Sequence, residues 1–91
     1  MALVLSPTQL RAIKEILDER RVQMAEHEPR PHHATSALWQ VILTEEVGEV
    51  AAALHGDHRA WLRAALVQVA AVALAWLEAL DSEGEPGRGP S

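Results

Sequence analysis

The chain has no cysteine, phenylalanine or tyrosine among its 91 residues. The lack of cysteine excludes a disulfide framework and thiol chemistry. Basic residues are also few, eight Lys and Arg against thirteen Asp and Glu, so a net charge of −5 disfavours attraction to a nucleic-acid backbone. The segment before Pro7 is short and lacks the basic start of a secretion signal. We expect a cytoplasmic protein that binds neither nucleic acid nor membrane.

Hydrophobic residues make up 48% of the chain, and most of them are Ala, Leu and Val. This composition, with 91 residues, predicts one small all-α domain. Ser6 before Pro7 is typical of a helix start, and a stripe of apolar residues at helical spacing follows it. That stripe consists of Leu10, Ile13, Ile16, Leu17 and Val22. We predict helices over about 7–26, 36–55 and 58–80.

The predicted boundaries depend on turn residues. Thr35 or Ser36 would cap the second helix, and Gly56 would end it in a left-handed conformation. The segment after Asp81 is rich in Gly and Pro and has little to bury. The sequence therefore predicts a domain over residues 1–81 and a disordered tail over 82–91.

The third predicted helix is apolar on every face. Between Ala64 and Leu77 its one polar side chain is Gln68. This stretch is too short to span a bilayer, so it is expected to be buried all round. Three helices of one chain cannot cover it. We therefore predict an oligomeric helical bundle, either a homodimer or a dimer of dimers.

Three acids interrupt the apolar pattern of the second helix. On a helix, Glu49 falls about 40° from Glu45 and about 60° from Glu46, so all three occupy one arc. Their mutual repulsion favours a neutralising cation, and Mg²⁺ or Mn²⁺ suits carboxylate ligands. A solvated acidic face is the alternative. Gly48 within this segment indicates a close approach by a neighbouring helix.

The run Glu45-Glu46-x-x-Glu49, followed by a helical turn and Leu66-Val67-Gln68-Val69-Ala70-Ala71-Val72-Ala73, resembles the MazG family of all-α nucleoside triphosphate pyrophosphohydrolases. The resemblance covers about residues 17–81. It implies Mg²⁺-dependent cleavage of a nucleoside triphosphate to monophosphate and pyrophosphate. Glu46 and Glu49 match the first half of the family's metal motif, and Glu45 matches the acid before it. All three are candidates to ligate the metal or to act as the catalytic base.

The second half of that motif, ExxD, does not match. Antiparallel pairing of the second and third helices sets Ala65 level with Glu49 and Gln68 level with Glu46. Gln68 could supply a carbonyl oxygen to the metal or donate a hydrogen bond to Glu46. A literal Glu78-x-x-Asp81 lies about 20 Å further along the helix, where only another subunit could use it.

Three functions remain open at this point. The chain is a nucleotide pyrophosphohydrolase, a catalytically degenerate relative that binds nucleotide or metal, or a structural helical dimer with an acidic patch. Trp39 lies just before the acids. It would stack on a base if the chain binds nucleotide, or it would pack in the core under any of the three functions.

Overall fold

The computed structural model describes residues 4–27, 35–56 and 58–83. These residues form α1 (Pro7–His27), α2 (Ser36–Gly56) and α3 (Arg59–Glu83), with no strand within the described ranges. The all-α prediction is confirmed, and the helices begin within a residue of the positions expected. α3 runs to Glu83, so Ser82 and Glu83 belong to the helix. The rest of the predicted tail lies outside the described residues.

Side-chain caps explain where α1 and α2 begin. The Ser6 hydroxyl accepts a hydrogen bond from the Gln9 amide at 3.1 Å, and the Gln9 side-chain oxygen accepts one from the Ser6 amide at 2.8 Å. This reciprocal pair is a capping box. At α2 the Thr35 hydroxyl accepts from the Leu38 amide at 3.2 Å, so Thr35 is the cap.

Both glycines of α2 differ from expectation. Gly56 is the last helical residue, and its backbone is not in the left-handed region. A Cβ atom there would lie 3.1 Å from the Trp61 ring and 3.2 Å from the His58 side chain, so a larger residue would require these rings to shift by a few tenths of an ångström. Gly48 has no atom within 4 Å of the position of a Cβ, so the expected close approach of a helix of this chain is wrong.

α3 is the central helix. It packs against α2 on one side and α1 on another, whereas no Cα atom of α1 comes within 8 Å of α2 among the described residues. The contact between α2 and α3 is apolar and is centred on Trp39, Val72 and Ala75. Four partly buried side chains surround it: Ile42, Leu43, Trp76 and Ala79.

The contact between α1 and α3 is polar by comparison. Arg20 Nε donates to both carboxylate oxygens of Glu78 at 3.1 Å, and Arg63 donates to Glu15. Gln23 Nε2 donates to the Gln68 side-chain oxygen at 2.9 Å. Most of the apolar stripe of α1 predicted from the sequence is exposed instead. Its exposed members are Leu10, Ile13, Leu17 and Val22, with only Ile16 half-buried.

The single chain has little core of its own. Its buried hydrophobic residues are Trp39, Val72 and four alanines. Within the described ranges, fourteen large hydrophobic side chains are exposed. The single chain therefore leaves much of the apolar surface of its described helices uncovered.

α3 keeps a large part of its apolar surface uncovered. By length and composition alone, Arg59–Ser82 would also be able to cross a membrane, and 22% of its most apolar window is buried inside the chain. The expectation that this helix is too short to span a bilayer rested on the stretch from Ala64 to Leu77. The helix as a whole is longer, at 25 residues.

Candidate functional site

The three predicted acids lie at the middle of α2 and differ in burial. Glu46 is half-buried, among the residues of α2 that face α3, whereas Glu45 and Glu49 are exposed. Within the described ranges, no group of three or more His, Asp or Glu side chains is placed to hold a metal ion. The three acids share a helix and an arc, but their carboxylates do not converge on one point.

The α3 positions opposite these acids follow from the register of the hairpin. Trp39, Val72 and Ala75 form one apolar cluster, and Ile42 packs against it. This cluster agrees with the antiparallel pairing predicted from the sequence, which sets Glu46 level with Gln68 and Glu49 level with Ala65. These are the positions where the resemblance calls for acids.

Neither position supplies a charged ligand. Ala65 is 4% exposed and has no polar side-chain atom. The Gln68 oxygen, the atom that would ligate a metal, accepts the hydrogen bond from Gln23 of α1. Mg²⁺ requires near-octahedral oxygen ligation. The described residues thus fit one half of a Mg²⁺ cage and not the whole of it, and we derive no catalytic step through a metal.

Trp39 is part of the core rather than of an open site. The residue is 7% exposed and packs with Val72 and Ala75. A base cannot stack on a ring that is covered in this way. Of the two roles considered for Trp39, the structure favours packing between α2 and α3.

In the downstream pattern Glu78-x-x-Asp81, the Glu78 carboxylate has a partner on α1. Glu78 is held by Arg20 from α1 through both carboxylate oxygens, while Asp81 is exposed. The Glu78 carboxylate therefore anchors α1 to α3. No separate sequence signal predicted this role, because Arg20 and Glu78 are 58 residues apart.

Sequence reasoning missed a cleft between α1 and α3. It is open to solvent and has a volume of about 500 Å³. α1 lines it with Glu15, Asp18 and Glu19, while Arg63 and Gln68 contribute from α3. The hydrogen bond from Arg63 lowers the pKa of the Glu15 carboxyl below its ordinary value. The polar residues of α1 recur at helical spacing, and that periodicity was the available signal for this face.

Comparisons with protein families, with curated proteins and with solved structures found no match for this chain. The resemblance to the MazG family therefore rests on the motif residues alone.

Proposed function

We propose that this chain is a MazG-like helical module that binds a nucleoside triphosphate with Mg²⁺ or Mn²⁺ at Glu45, Glu46 and Glu49. It turns the nucleotide over slowly or not at all. The observation that carries the proposal is the asymmetry of the hairpin, with three acids in one arc of α2 and with Ala65 and Gln68 level with two of them. Phosphate oxygens and water would complete the ligation that α3 does not supply.

Binding is tested by calorimetric titration of Mg²⁺, with and without a nonhydrolysable triphosphate. We expect Mg²⁺ to bind weakly alone and more tightly with the triphosphate, because the phosphates supply ligands. Glu46→Gln and Glu49→Gln should each abolish the heat. Asp81→Asn removes one exposed acid from α3 and is the matched control. Binding that survives both glutamate changes, or that disappears with Asp81→Asn, would contradict this site.

Turnover is tested by restoring the missing acids. Pyrophosphate release from a panel of triphosphates should be near background for the unmodified chain and should rise in Ala65→Glu with Gln68→Asp. Without metal this variant should be less stable than the parent, because it buries a carboxylate and removes the partner of Gln23. Ala64→Glu adds one carboxylate at an exposed neighbouring position of α3 and should gain nothing. Rapid turnover by the unmodified chain would refute the account of a reduced site.

Self-association is a second element of the proposal, since the predicted homodimer fits the uncovered apolar surface of the single chain. Fourteen large hydrophobic side chains in the described part of the chain are exposed. If the titrations give no heat, the function we would then favour is a structural helical dimer that does not bind nucleotide.

A further inference from the structure

One polar residue interrupts the row of α3 side chains that packs on α2. The row consists of Ala65, Gln68, Val72, Ala75 and Ala79, which follow one another at heptad spacing and are all buried or half-buried. Val72 and Ala75 belong to the apolar cluster shared with α2, and Ala79 packs against it. By its position, Gln68 therefore belongs to the side of α3 that faces α2.

The Gln68 side chain is nevertheless turned towards α1. Its oxygen accepts the hydrogen bond from Gln23 at 2.9 Å, and both side chains are half-buried. Gln68 also lines the cleft between α1 and α3. α1 and α2 lie against different sides of α3, and among the described residues no Cα atom of one comes within 8 Å of the other. An oxygen that is turned to α1 is therefore turned away from α2.

The row of α2 side chains that faces α3 also contains one polar residue. This row consists of Trp39, Ile42, Glu46, Val50 and Ala53, all of them buried or half-buried. Glu46 is its polar member, one turn beyond Ile42. The antiparallel pairing predicted from the sequence sets Glu46 level with Gln68. In the α3 row, Gln68 is thus the one residue that can offer a side-chain oxygen to the acids of α2.

We propose that Gln23 is a positioning residue that holds Gln68 away from the α2 acids, and that Gln68 turns to them when Mg²⁺ binds there with a triphosphate. Hard cations take amide carbonyl oxygens as well as carboxylates. Gln23 and the bound cation therefore compete for one oxygen. This inference rests on the proposed function and adds how α1 regulates that site.

The attachment of α1 suits it to this control. Two of its three polar pairs with α3, Arg20 with Glu78 and Arg63 with Glu15, are partly exposed and hold the helix weakly. Since α1 packs on α3 alone, it can loosen without disturbing the α2–α3 contact. Coupling between two equilibria is reciprocal. Loss of the Gln23 hydrogen bond should therefore strengthen binding at α2, and binding at α2 should loosen α1.

The test is a double-mutant cycle, read by calorimetric titration of Mg²⁺ in the presence of a nonhydrolysable nucleoside triphosphate. Gln23→Leu removes the competing donor and should lower the dissociation constant about two- to tenfold, the range that corresponds to one net hydrogen bond. Gln68→Leu removes the oxygen and should raise the constant. The double variant should bind like Gln68→Leu alone, because Gln23 acts only through Gln68.

Gln40→Leu is the matched control. It makes the same substitution at an exposed glutamine of α2 and should leave the dissociation constant unchanged. If Gln23→Leu binds no more tightly than the parent, or if Gln68→Leu binds as tightly as the parent, Gln68 does not join the site and the proposal is wrong. A released Gln68 that donated a hydrogen bond to Glu46 would weaken binding in Gln23→Leu, and that result would also refute the proposal.

Deuterium exchange of the unmodified chain is a second readout, and it decides the question even if a variant fails to fold. Saturating Mg²⁺ with the triphosphate should speed the exchange of α1 amides around Gln23 and should slow that of α2 amides. Slower exchange of both helices would contradict the competition. Titrations without heat from the parent and from every variant would refute the α2 site and this inference with it, whereas binding that is insensitive to Gln23 would refute this inference alone.

Discussion

The two contacts of α3 are built from different chemistry. Its contact with α2 is apolar and continuous from Trp39 to Ala79, with Val72 at its centre. Its contact with α1 relies on three polar pairs that span about 15 residues of α3, from Arg63 to Glu78. The first excludes water, and the second leaves most of its charged groups half-exposed.

This difference indicates how stability is distributed. Burial of apolar area contributes about 25 cal/mol per Å², whereas exposed ion pairs contribute about 0 to 1 kcal/mol each. The α2–α3 hairpin is therefore expected to carry most of the stability of the single chain. α1 is expected to be the first helix to detach.

The largest effect should come from charging the apolar contact. Val72 is 3% exposed, and Val72→Asp would bury an unpaired carboxylate at a cost of several kcal/mol, about 3 to 5. We expect the chain to lose its cooperative unfolding transition in urea. Val47→Asp is the control, because Val47 is exposed on α2. Equal loss of stability in both variants would show that Val72 is not in a core.

A smaller and opposite effect is expected at Gly48, which tests whether anything approaches α2 at its exposed side. A Cβ there meets no atom within 4 Å, and alanine is favoured over glycine inside a helix by about 1 kcal/mol. Gly48→Ala should therefore raise the free energy of unfolding by about that amount, which is measured as a higher urea midpoint. A decrease would mean that a second chain or a ligand lies against Gly48.

Breaking the polar contact should have a modest effect. Arg20→Ala removes both hydrogen bonds to Glu78, and we expect a loss of about 1 kcal/mol or less in the free energy of unfolding. Backbone amides of α1 should exchange faster with deuterium, while those of α2 remain protected. Arg21→Ala is the control, since Arg21 pairs only locally with Asp18 on α1. A uniform increase in exchange over all helices would contradict a separate α1.

The smallest effect concerns pH. The pKa of Glu15 is lowered in the folded chain by its hydrogen bond to Arg63, so the folded state favours the ionised carboxylate. This stabilisation of the folded state by ionised Glu15 is present above the unfolded pKa of about 4.3 and is lost as the pH falls below it. α1 amides should therefore begin to exchange faster below that pH. In Glu15→Gln this part of the pH dependence should disappear, and its persistence would assign it to other carboxylates.

The sequence sufficed to predict the features that depend on local chemistry. The start of α1 at Ser6 and the start of α2 at Thr35 or Ser36 follow from residue type and spacing. It did not predict the side by which α1 contacts α3, because α1 has an apolar face and a polar face and only the packing decides between them. The close contact between Gly56 and the Trp61 ring was also not predicted, because it depends on where that ring lies in the folded chain.

The candidate site was predictable in part. The acids were correctly placed on α2, and α2 does pack against α3, the helix that carries Ala65 and Gln68. The hydrogen bond between Gln68 and Gln23 was not predictable, because it joins helices 45 residues apart through two neutral amides. Metal binding at Glu45, Glu46 and Glu49 stays a prediction.

The most direct test of the difference between the two contacts is residue-resolved hydrogen exchange of the single chain at low and high salt. We predict that α1 amides open locally and that salt speeds their exchange, because salt screens the ion pairs of Glu15 and Glu78. Amides of α2 and α3 should exchange together by global unfolding. Protection of α1 equal to that of α3, and insensitive to salt, would contradict the account.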